Sequence, residues 1–125
     1  MAENKMKVVM VEPGKPAYIT EIDSDLKSMQ KAVGGNLEAI YFLSDAIIVA
    51  NEEAKLVGME DNRRFTEDII AGPFFICGER VVNGEHDFGS LSDELCDKYV
   101  EQFAKPESIT QDEVEDDTYA WVIAF

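Results

Sequence analysis

The side chains equipped for covalent or acid–base chemistry are few: two cysteines, Cys77 and Cys96, and one histidine, His86, in 125 residues. A thiol beside an imidazole is a nucleophile with its base, so either cysteine would have to meet His86 across the fold. Cys77 lies in the apolar run AGPFFICG and Cys96 in a stretch of helical periodicity, where a thiol is expected as a small buried hydrophobe. A metal ion would need His86 together with Glu85 or Asp87, and sequence neighbours rarely converge on one ion. No metal and no cofactor is therefore expected, and His86 reads as a structural or solvent-facing residue near a turn. The run DEVEDD, residues 112–117, supplies carboxylate pairs, but catalysis by a pair needs a pocket that drives two pKa values apart, and a run of acids is usually a solvated face. Gly34-Gly35 lacks the following lysine and the strand-to-helix setting of a phosphate loop. The expectation is a protein without catalysis; the alternative is a small α+β enzyme using Cys77, His86 or an acid pair.

Charge points elsewhere. The chain has 26 acidic and 11 basic residues, a net charge of −15. Residues 1–64 hold 11 acids and 8 bases, and residues 65–125 hold 15 acids and 3 bases, so the second half carries most of the excess. Such a field repels phosphate backbones and anionic membrane surfaces, which makes direct nucleic-acid binding an unfavourable reading and a protein with a basic surface the natural partner. Carboxylates spaced like phosphates on a rigid scaffold would offer that partner an imitation of nucleic acid. Glu107, Asp112, Glu113, Glu115, Asp116 and Asp117 are the expected partner-binding face. The start, MAENKMKVVMV, is too short and too charged for a secretory leader, so a cytoplasmic setting with reduced thiols is expected. The longest apolar run, IIAGPFFIC, is too short to cross a bilayer.

The length fits a single domain, residues 1–125. MKVVMVE (6–12) is apolar on both parities and reads as a central strand covered on both faces. AYITEID (17–23) alternates as a half-exposed strand, and PGKP between the two predicts a hairpin with a wide loop. Ser24 is the expected cap of a helix whose Leu26, Met29 and Val33 form one stripe, ended by Gly34-Gly35. LEAIYFLSDAIIVAN (37–51) reads as two strands broken at Ser44-Asp45. EEAKLVGMEDNRRF reads as a polar connection, followed by a strand over 71–78 with Pro73 at its start or on an edge. Asn83-Gly84 signals a tight turn. Ser92 caps a second helix presenting Leu95, Tyr99, Val100 and Phe103 to the core, closed by Lys105-Pro106. Residues 108–117 read as a short acidic helix and 118–125 as a last strand, whose edge could pair two copies into a homodimer. The fold class expected is α+β: a mainly antiparallel sheet of five or six strands with two main helices packed on one face.

Within VGMEDNRRF two arginines stand together in an acidic chain. Asn62 could bond the backbone of its own loop while Arg63 pairs with Glu52 or Glu53. Alternatively, Asn62, Arg63 and Arg64 border a groove whose guanidinium fork holds a phosphate or carboxylate, and these are the candidate ligand-binding residues.

Glu12-Pro13-Gly14, Gly34-Gly35, Asn51-Glu52-Glu53, Gly58, Asn62-Arg63 and Ala71-Gly72-Pro73 follow one another in an order that resembles a bacterial family associated with phages and mobile elements, catalogued as domain of unknown function 3846. The resemblance covers roughly residues 7–82 and leaves 83–125 as an acidic extension. Glu60-Asp61 stands where the pattern has a proline. The resemblance implies a setting among bacteria and their phages or plasmids and no particular activity.

Overall fold

The computed structural model describes residues 5–65 and 68–107. Strand β1 (Lys5–Val11) pairs antiparallel with β2 (Tyr18–Asp23), from Lys5 opposite Asp23 to Met10 opposite Tyr18. Helix α1 (Leu26–Val33) follows, and then a second hairpin of β3 (Leu37–Ile40) and β4 (Ile47–Asn51). A small separate hairpin joins β5 (Asp61–Arg64) to β6 (Ile69–Ala71). Strand β7 (Phe74–Val82) returns to the middle of the sheet, pairs with β8 (Glu85–Gly89) through the Asn83-Gly84 turn, and leads to α2 (Asp93–Gln102). The six-stranded antiparallel sheet runs β2-β1-β7-β4-β3, with β8 attached to β7. The α+β class and the strand number are those read from the sequence.

The three inner strands are apolar on both parities because both of their faces are covered. Val9, Val11, Ile48, Phe74 and Ile76 share one face with Tyr99 of α2 and with Phe103, which caps that helix. Val8, Met10, Val49, Phe75 and Cys77 share the other with Met29 and Val33 of α1. The two helices therefore lie on opposite faces, correcting the expectation that both pack on one. A sheet whose central strands bury both faces needs cover on both sides, since each large apolar side chain left in water forfeits about 2 kcal/mol. On the α2 side the β5–β6 hairpin completes the layer through Ile70 and Phe65, whose ring lies 5.4 Å from that of Phe42 and 5.6 Å from that of Phe103.

Local chemistry sets the boundaries. Asp25, one residue later than expected, caps α1: its carboxylate accepts from the Ser28 backbone N–H at 2.8 Å. Gly34 ends that helix in the left-handed conformation, with φ 82°. Ser92 caps α2 as expected, accepting from the Leu95 N–H, and Asp93 and Glu94 occupy its first turn. Pro73 falls immediately before β7, where no ladder bond is demanded of it. The expected polar connection instead contains β5, and the strand expected over 71–78 is divided between β6 and β7. The acidic helix over 108–117 and the last strand over 118–125 lie outside the described residues.

Candidate functional site

Asn62 and Arg63 lie at the end of the sheet where β1 finishes and β7 begins, and both are completely buried. Asn62 donates through Nδ2 to Val11 O at 3.0 Å and Gly72 O at 2.9 Å, joining the end of β1 to the residue pair preceding β7. Arg63 donates through Nη1 to Asn62 Oδ1 at 2.7 Å and Asn62 O at 3.1 Å. Its Nη2 reaches Lys15 O in the β1–β2 turn at 2.7 Å and Phe103 O at the end of α2 at 3.0 Å. A cation at the carbonyl end of a helix is favoured by the helix dipole. The fork thus ties three segments distant in sequence, and its partners are main-chain carbonyls and Asn62, not Glu52 or Glu53. Burial lowers the Arg63 pKa, and the nearby Glu107 carboxylate opposes that shift. Arg64 is exposed, and its backbone N–H donates to Glu107 Oε2 at 3.1 Å. Asn62 and Arg63 are fully covered by the described residues, so they border no open groove there.

The other residues carrying the family resemblance meet at the same end. Lys15 N donates to Glu12 O at 3.2 Å across Pro13-Gly14, closing the turn whose Lys15 carbonyl receives Arg63. Asn51, buried at the end of β4, donates to Val33 O at 3.3 Å and accepts from Glu53 N at 2.8 Å. Its amide lies so close to Gly35 that a Cβ there would stand 2.8 Å from Nδ2. Gly72 adopts φ +74°, donates to Glu60 O at 2.8 Å, and presents a face that a Cβ would bring within 2.7 Å of Met59 Sδ. These residues form one interlocked joint, from α1 through β4, Met59 and Gly72 to β1 and α2.

The reactive groups are not brought together. Cys77 is sealed beneath α1, where burial pushes its thiol up to about 12, and Cys96 is buried on the inward face of α2 with its thiol also raised by burial. His86 lies on exposed β8, where its Nδ1 is 3.0 Å from Glu79 Oε1. Among the described residues no cluster of His, Cys, Asp and Glu could hold a metal ion. Of the proposed acidic face, Glu107 is engaged by the Arg64 N–H, and Asp112, Glu113, Glu115, Asp116 and Asp117 lie outside the described residues.

One concavity escapes sequence reasoning. A cleft of about 130 Å³ separates β3 and β4 from β6, with Glu38, Ile40, Glu52, Lys55, Leu56 and Asp68 among its lining. Lys55 Nζ and Asp68 Oδ1, 2.8 Å apart, form an ion pair in this lining. The sequence signal was the one acid inside β3, Glu38, which opposes Ala50 on the face that β6 partly covers.

The model of the family described as Domain of unknown function (DUF3846) matches residues 6–104, so the chain belongs to that family. The match continues past residue 82 through β8 and α2. No curated protein and no solved structure shows significant similarity to the chain. No helix among the described residues is long and apolar enough to cross a membrane.

Proposed function

For this member of the DUF3846 family we propose a binding function without catalysis, directed at a protein with a basic surface. The observation that carries the reading is how the cations are used. Lys5, Lys7, Lys55, Arg80 and Lys98 each lie 2.5–3.1 Å from an aspartate, and Arg63 is buried in the joint. In a chain of net charge −15 this leaves a surface where unneutralised carboxylates greatly outnumber cations. Such a field draws in a cationic partner and raises its association rate. The sealed thiols and the lone exposed imidazole favour this over an enzyme built on Cys77 or His86.

In its sharpest form, the protein is a counter-defence inhibitor of phage or plasmid origin. It occupies the duplex-binding surface of a host nuclease by presenting carboxylates in place of phosphates. The purified full chain should then inhibit a host restriction nuclease at low ionic strength, and excess non-cleavable duplex should relieve the inhibition by competing for the same surface. Inhibition that duplex leaves untouched, or none across the host's nucleases, would remove this form of the proposal.

A further inference from the structure

β3 is an edge strand: its partner is β4, and its other side meets no strand among the described residues. An open edge is a template for an incoming strand, and proteins commonly blunt it with lysine, proline or a covering loop. β3, with sequence LEAI, carries neither lysine nor proline; its shortness and the single negative charge of Glu38 are what blunt it. The cleft lies on one sheet face and is lined in part by this edge strand, with Ile40 and Leu56 among its apolar residues. Leu56 is 87% exposed, and Tyr41, immediately after β3, is 71% exposed.

The same ground carries an electrostatic imbalance. Glu38 opposes Ala50 across the β3–β4 ladder, and Glu52 lies two residues beyond Ala50 on the same face. Diagonal neighbours on adjacent strands are close enough for their charges to repel. Lys55, the cation lining the cleft, is held by Asp68, and among the described residues neither Glu38 nor Glu52 meets a cation. The space equals roughly four water volumes, room for one long side chain. A lysine or arginine entering it could lay its aliphatic stem on Ile40 and carry its charge to the two carboxylates.

We infer that β3 and the adjoining cleft form the docking site for an extended basic segment of the partner protein, which adds a strand at Leu37–Ile40 and inserts a lysine or arginine between Glu38 and Glu52. This assignment rests on the binding function proposed above and gives it a location within the described residues. Strand addition supplies affinity through the main chain, and the inserted cation supplies selectivity.

The test uses the full chain and two probes: an octapeptide alternating lysine with valine, and its glutamate–valine counterpart. The basic peptide should shift backbone amide signals at Leu37–Ile40 and Glu52–Lys55, and the acidic one should not. Glu38→Gln combined with Glu52→Gln should weaken the basic peptide about tenfold, as expected for loss of two charge pairs. A control pair on the exposed surface, Glu85→Gln with Glu94→Gln, should weaken it less than about twofold. Equal weakening by both pairs, or shifts spread evenly over the acidic surface, would overturn the site. Protection, without peptide, of those amides of Leu37–Ile40 that point away from β4 would also overturn it, assigning the edge to a second copy if it depends on concentration and to the chain's own C-terminal segment if it does not. Should the chain inhibit a nuclease as proposed yet show none of these peptide effects, the site alone fails. If no basic probe of any kind binds, the parent reading fails with it.

Discussion

Arg63 places a full positive charge in the core and meets no carboxylate at hydrogen-bonding distance among the described residues. Four acceptors surround its two terminal nitrogens, while Nε is buried without a partner. Arginine's planar fork can address Asn62 on one branch and two remote carbonyls on the other; a lysine ammonium cannot span that arrangement. Arg63→Lys keeps the charge yet strands at least one buried acceptor, which should cost about 1–3 kcal/mol. Urea unfolding should show a lower midpoint with an unchanged slope. An unchanged midpoint would mean that the fork is not a joint. The sequence marks Asn62-Arg63 as unusual because an NRR triplet stands in an acidic chain. It does not reveal burial, since the carbonyls of Lys15 and Phe103 arrive from positions 48 and 40 residues away.

Two hairpins were legible, because their connections carry local chemistry at Pro13-Gly14 and Ser44-Asp45; Asn83-Gly84 announced its turn but not the strand β8 that follows it. β5 was not legible, since its DNRR has no strand-like pattern and exists as a strand only because β6 and the joint hold it. The side taken by each helix was hidden for another reason. Apolar residues at both parities of β1 say that two faces are covered but not which helix covers which. One tether helps hold α2 in place: Asp45, in the β3–β4 turn, accepts from the Tyr99 hydroxyl and from Lys98 Nζ at 2.8 Å. Hydrogen bonds from Lys98 and then Tyr99 hold the Asp45 carboxyl below its ordinary 3.8. The folded state thus prefers the ionised form, so the tether's contribution is complete above 3.8 and lost as the pH falls through the lowered value. Asp45→Asn should be less stable than the parent at neutral pH, and the gap should close on acidification below about pH 4. A gap that stays constant from neutral pH to about pH 2 would show that ionised Asp45 does not anchor the helix.

At the scale of the whole molecule, Asn51, Asn62, Arg63 and Ala71 of the family pattern are buried and fix the sheet end, whereas Glu52 and Glu53 of the same pattern are exposed. The proposed recognition by charge belongs to that outer layer. The amount of charge is plain in the sequence, but the cleft is not, because Glu38, Glu52, Lys55 and Asp68 come together only after β6 packs near β3 and β4. The most direct test of recognition by charge is the affinity of the full chain for a basic duplex-binding nuclease, measured between about 50 and 200 mM salt. The account predicts binding that weakens steeply and continuously with salt and is displaced by duplex. Affinity that does not change across that range, or no binding at its low end, would contradict it.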